Sequence, residues 1–156
     1  GSLMTDVFSD LANTMGANIN VVRANSKCLS ADVNAAFDPK FGGQFEARNS
    51  SYINKGVVVT KYTGGGGKGG TNDASAEYVG YIHNLLIREG ILFQTGELGK
   101  VDAGGGGTVA KFISMKNIDT IDIGVPVLSM HAPYEVVSKY DIYETYRCVK
   151  AFNEDI

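Results

Sequence analysis

An α/β fold, with a mostly parallel sheet and helices on both faces, is the architecture this sequence predicts. Three observations lead there. Strand-like segments alternate with segments of helical periodicity, the order that builds crossover units and parallel sheets. The run Val57-Val58-Val59-Thr60-Lys61-Tyr62 is continuously strand-forming, as suits a strand covered on both faces. No internal repeat and no linker divides the chain, so residues 1–156 read as a single domain.

The elements follow in order. Leu3, Val7, Leu11 and Met15 recur at helical spacing over 3–15, and Gly16 supplies a stop. Residues 19–23 and 27–33 are β-branched and apolar and read as strands. Residues 34–54, with Pro39, Gly42 and Gly43, read as a long excursion. After the strand at 57–62 comes a glycine loop, 63–70. Thr71-Asn72-Asp73 then offers caps for a helix over 73–89, carrying Ala76, Val79, Tyr81, Ile82, Leu85 and Leu86, and Gly90 ends it. Residues 91–95 form a short strand. A second glycine loop, 104–107, leads into a helix over 106–116. Residues 120–123 and 126–130 are strand-like, split by Gly124. Ser138-Lys139-Tyr140-Asp141 resembles a capping box and opens a last helix through Asn153, with Ile142, Tyr146, Val149 and Phe152 on one stripe.

Composition narrows the function classes. Hydrophobic residues make up 44% and charged residues 20%, as in an ordinary globular domain with a sizeable core. The net charge of −3 comes without a Lys/Arg cluster, which argues against a nucleic-acid partner. The apolar runs are too short for a membrane span, and no secretory signal is visible. Cys28 and Cys148 show no CxxC spacing and read as buried thiols of a reducing compartment, so a cytoplasmic location is expected.

Two side chains stand out at the ends of apolar runs. Asp32 lies in an otherwise apolar strand, where a carboxylate is a metal ligand or a structural hydrogen-bonding group. His131 ends the strand at 126–130, and strand ends are where α/β sheets place functional groups. Glu135, four residues on, reads as a helix-start or supporting residue. Asp38, before Pro39, reads as a turn former. His83 has no carboxylate or cysteine at ligand spacing and reads as structural. The run Tyr62 to Thr71 fails the GxxxxGK[ST] phosphate-loop pattern at position 62 and after Lys68. Both glycine loops therefore read as flexible connections or as substrate-facing loops. No GxSxG, HExxH or Cys/His nucleophile arrangement is present.

Three ordered segments resemble one family. Leu29 to Pro39 (LSADVNAAFDP), Gly69 to Glu77 (GGTNDASAE) and Asp122 to Lys139 (DIGVPVLSMHAPYEVVSK) are similar to the aminopeptidase I / aspartyl aminopeptidase family of dinuclear zinc metallopeptidases, nearer its bacterial aminopeptidase I branch. The resemblance implies the phosphorylase/hydrolase-like fold of a zinc-peptidase catalytic domain. It implies removal of N-terminal residues from peptides by two zinc ions, sometimes cobalt. Asp32 would bind one metal and His131 the other. Lys61, Gly106 and Thr108 would lie near the peptide substrate. The branch implies neutral or hydrophobic N-terminal residues and a large homo-oligomer.

The same resemblance marks what the chain lacks. An earlier histidine, the bridging aspartate and an adjacent glutamate pair, one of them the general base, find no match, nor does the dimerisation insert. The chain thus reads as the C-terminal part of a catalytic domain, inactive by itself. The rival expectation is a non-catalytic remnant serving assembly or peptide binding.

Overall fold

The β-branched run becomes β3 (Val57–Thr60), with all four residues buried. The computed structural model describes residues 2–66, 69–100 and 102–155. β3 sits in a four-stranded sheet with β1 (Lys27–Ala31), β6 (Phe93–Thr95) and β8 (Asp119–Gly124), in the order β1-β8-β3-β6. The β1/β8 and β3/β6 pairings are parallel, while β3 and β8 run antiparallel.

Alternation along the strands gives the sheet two different faces. Val57, Val59, Ile121 and Ile123 form a core with Tyr78, Ile82, Leu85 and Leu86 of α3 (Ala76–Arg88) and with Cys148 and Phe152 of α5 (Lys139–Glu154). The other face carries Thr60, Thr120 and Asp122, all buried. The turn into α4 (Ala110–Ser114) lies against that polar face, where Thr108 bonds Asp122.

A second sheet prolongs the first. β2 (Asn34–Ala35) follows β1, and β9 (Pro126–Leu128) follows β8; with β10 (Val136–Val137) they give the order β10-β9-β2. The joint is Gly124. A Cβ there would lie 1.5 Å from the Asp32 carbonyl oxygen, so only glycine lets the two paired runs cross.

Several expectations are corrected. Residues 19–23 are helical, within α2 (Ile19–Ala24), not a strand. The Asn18 side chain accepts the Asn20 N–H at 2.9 Å, and a local cap outweighs β-branched preference where no strand lies alongside. On either side of Gly67 and Lys68, the glycine segment expected as a loop is strand over 63–65 and 69–70. β4 (Tyr62–Gly65) and β5 (Gly69–Asp73) pair as a ribbon, joined by β7 (Gly105–Gly106) in the order β5-β4-β7. A Cβ on Gly105, at φ +110°, would meet the Gly64 carbonyl oxygen at 2.1 Å. Glycine here permits close strand approach, which local propensity does not register. Gly67 and Lys68 lie outside the described residues.

Because β5 takes Thr71-Asn72-Asp73, α3 begins later, at Ala76, with Ser75 accepting the Tyr78 N–H. Likewise β7 takes Gly105 and Gly106 and leaves α4 shorter than 106–116. α5 starts as expected, Ser138 accepting the Tyr140 N–H at 3.2 Å. Its buried face differs, however. Ile142 and Tyr146 are 46% and 60% exposed, while Asp141 and Glu144 are buried. Asp141 does not close a capping box; it accepts N–H bonds from Asn54 and Gly56 at 2.7 and 2.8 Å. Glu144 accepts the Leu92 N–H at 2.9 Å and pairs with Arg147. α1 (Leu3–Thr14) is helical as its spacing predicts, yet Leu3, Val7, Leu11 and Met15 are all exposed. Cys28 and Cys148 are free thiols.

Candidate metal and substrate site

Asp32 is the first residue past β1, where the chain bends into β2. Its N–H still reaches the Ile123 carbonyl at 3.1 Å, so the paired strands fix its backbone. Its side chain is exposed rather than enclosed in the strand, and Oδ1 accepts the N–H of Val33 at 2.8 Å. The opposing Gly124 has no side chain to collide with the Asp32 backbone carbonyl.

His131 lies in the turn between β9 and β10, also exposed. Its backbone is left-handed, φ 66°, as is that of Ser129, φ 60°. Such residues are held by their surroundings. Ala132 N–H bonds the Ser129 carbonyl at 2.9 Å, and the Glu135 carboxylate accepts the His131 N–H at 2.5 Å. Glu135 therefore shapes the loop that presents the imidazole. Among the described residues no three His, Cys, Asp or Glu side chains gather as a metal site. A carboxylate oxygen and an imidazole nitrogen are both zinc donors, of the kind that make up sets of three or four.

The remaining expected residues cluster near the ribbon. Thr108 donates to Asp122 Oδ2 at 3.0 Å, accepts the Ala110 N–H at 3.2 Å and lies 3.5 Å from the Thr63 hydroxyl. Gly106 pairs with Gly64. Lys61, just past β3, is paired with Asp73. Asp38 turns the chain by accepting the Lys40 N–H at 2.9 Å. His83 packs its ring 5.0 Å from that of Phe93, and burial lowers its pKa.

One residue of this neighbourhood escaped the reading of the sequence. Asp122 stands in β8 between Ile121 and Ile123, opposite Ser30 of β1 and Thr60 of β3. Burial pushes its carboxyl up from the ordinary range; the Ser30 and Thr108 hydroxyls oppose that and the Asp32 charge adds to it. Its Oδ1 is enclosed without a partner among the described residues. The signal was present as Ile-Asp-Ile: an acid alternating with two core residues must face the sheet's other side.

A mixed α/β sheet with its polar face against a glycine ribbon, and donor side chains on the turns that follow paired strands, has the framework of a zinc-peptidase catalytic domain, here in part. Residues 2–153 match the family described as aminopeptidase I zinc metalloprotease (M18). The chain belongs to that family. It is similar to a probable M18 family aminopeptidase 1 of Clostridium acetobutylicum, 52% identical over 82% of this chain and 28% of the relative. A namesake from Borrelia garinii subsp. bavariensis is 44% identical over 97% and 34%. Among solved structures, aminopeptidase I from Clostridium acetobutylicum superposes with a TM-score of 0.88 at 44% identity, over 97% of this chain and 33% of that one. An M18 family aminopeptidase from Thermotoga maritima gives 0.86 at 38% identity, over 93% and 34%. The chain thus spans about a third of the length of the relatives it matches.

Proposed function

We propose that this chain is part of the catalytic domain of a zinc-dependent aminopeptidase, with Asp32 and His131 each contributing one ligand to a two-zinc site. The family match across residues 2–153 carries the reading. The placement of both side chains, exposed on turns anchored by paired strands, is in keeping with it. The remaining ligands and the general base belong to the part of such a protein that this chain does not match. Zinc, when bound, polarises a peptide carbonyl and acidifies a water. This chain's own residues hold donors and position substrate. Glu135 fixes the His131 loop, Gly124 makes room for Asp32, and Asp122 anchors Thr108 and hence the glycine turn beside Gly106. Lys61 lies near the substrate in this reading. Neutral or hydrophobic N-terminal residues are the substrates, assembly is homo-oligomeric, and the chain alone is inactive.

Calorimetric zinc titration tests it. The chain binds zinc weakly, and Asp32→Ala and His131→Ala each weaken binding at least tenfold, about the effect of losing one of few ligands. Unchanged binding in both variants overturns the assignment. The alternative, a non-catalytic assembly or peptide-binding module, predicts no zinc binding at all.

A further inference from the structure

A cavity of about 330 Å³ lies at the start of β1, lined by Phe8 of α1, Tyr81 of α3, Phe152 of α5 and two charged residues, Lys27 and Asp155. We propose that it binds a free α-amino acid with an apolar side chain, its carboxylate on Lys27, its ammonium on Asp155 and its side chain among the aromatic rings. The site stands without the aminopeptidase reading. One consequence does rest on that reading: the ligand is then of the class that the reaction releases.

Position separates this cavity from the candidate zinc ligands. Lys27 opens β1 and Asp32 follows its last residue, about 16 Å further along at roughly 3.3 Å per residue. The charges suit a zwitterion. The Lys27 ammonium lies over the Tyr81 ring, 5.3 Å from its centroid, and has no carboxylate partner among the described residues. The hydroxyl of the same tyrosine donates to Asp155 Oδ2 at 2.8 Å. One ring thus carries a cation over its face and a carboxylate at its hydroxyl. Arg88 is shared between Asp155 and Glu89, two acids for one guanidinium, so that end keeps a net negative charge. The Tyr81 hydrogen bond and Arg88 hold the Asp155 carboxyl below the usual carboxylate range, and it stays ionised at neutral pH. A carboxylate with one bond to each oxygen still has lone pairs for an ammonium.

The walls are set before any ligand arrives. Tyr81 stacks on Tyr78 with ring centroids 6.0 Å apart, and the Tyr78 hydroxyl donates to the Cys28 carbonyl at 3.0 Å. Phe152 belongs to the core. In the turn from α2 into β1, Asn25 and Ser26 bond the Val21 and Val22 carbonyls at 2.9 and 2.7 Å. Such preorganisation lowers the cost of binding. The volume is that of a small-molecule site, and the aromatic walls reward an apolar side chain. A ligand with only one of the two charges leaves Lys27 or Asp155 without a counterpart.

The ¹⁵N-labelled chain in metal-free buffer is titrated with L-phenylalanine, with glycine, and with N-acetyl-L-phenylalaninamide, which keeps the side chain and lacks both charges. Phenylalanine shifts the Ser26, Lys27, Tyr81 and Phe152 amide signals saturably, and each of the other two binds at least about tenfold more weakly. Lys27→Met keeps the stem and removes the ammonium at an exposed position; it weakens phenylalanine about tenfold. Asn25→Trp, also at an exposed position, fills the cavity and weakens phenylalanine at least as much. Shifts confined to other residues, equal binding of glycine or of the acetylated amide, or indifference to both substitutions overturns the proposal. Shifts at Val33 and Ala132 in their place overturn it in favour of the candidate zinc site. A failed zinc titration leaves this result standing, and a silent cavity leaves the zinc result standing.

Discussion

Two regions of this molecule put carboxylates against backbone N–H groups, and they do so to opposite ends. In α5, Asp141 is fully enclosed, and its two oxygens are taken by Asn54 and Gly56. Glu144 beside it takes Leu92 and Arg147. These acids tie the helix to the start of β3 and the approach to β6. At the turns after β1 and β9, by contrast, Asp32 and Glu135 accept one N–H each beside side chains that remain exposed. A buried charge must be saturated by its own chain, because water is not there to do it. An exposed one, held by strands at its backbone, keeps bonding capacity for something from outside. Asp122 stands between the cases: enclosed, bonded to Thr108, with one oxygen lacking a partner among the described residues.

The sharpest way to break the contrast is Asp141→Ala. It strips two N–H groups, that of buried Gly56 and that of Asn54, of a charged acceptor and should cost about 3–6 kcal/mol, at roughly 1.5–3 per bond. Urea denaturation reads it as a lower midpoint at unchanged slope. A loss under about 1 kcal/mol would show that α5 is held by its apolar contacts alone.

Gly124→Ala tests the joint that serves the open region. Its methyl would collide with the Asp32 carbonyl, so a loss of about 1–3 kcal/mol is expected, as for an overpacked site. Zinc affinity should fall with it, since Asp32 must move. Stability lost without any change in zinc binding would separate the joint from the site.

Asp122 offers a pH test. Burial raises its folded pKa above the unfolded value near 4. The native state then keeps the proton longer, and this group's contribution, fully present below the unfolded value, is lost as pH rises through the folded one. Asp122→Asn removes the slope. Urea midpoints measured from pH 4 to 8 should therefore favour the variant increasingly as pH rises; parallel curves would mean the carboxylate is adequately paired.

The smallest effect belongs to the open region. Asp32→Ala and His131→Ala should each change stability by no more than about 0.5 kcal/mol, because both side chains are exposed. A larger loss by the same urea assay would make them structural and blur the distinction between the regions.

What could be read in advance follows the same division. Val57–Thr60 was legible because a strand covered on both faces needs no alternation to announce it. α5 was legible in its bounds, because Ser138 caps it and sixteen residues follow without a break. Its buried face was not. Apolar periodicity selected Ile142 and Tyr146, and the enclosed acids broke the rule because their partners lie 85 and 52 residues away along the chain. The glycine segments were misread for a similar reason: Gly105 gains a strand partner only when Gly64 lies against it.

By itself the sequence determined the α/β class, the main strand and helix cores, the free thiols and the motifs by which the family is recognised. These depend on local chemistry: side-chain shape, caps and short-range spacing. The tertiary structure alone decided the antiparallel pairing in the main sheet, the conversion of glycine runs into strands, the burial of Asp141 and Glu144, and the exposure of Asp32 and His131. Each of those depends on which distant backbone groups come within hydrogen-bond reach, and that is settled only when the chain has closed on itself.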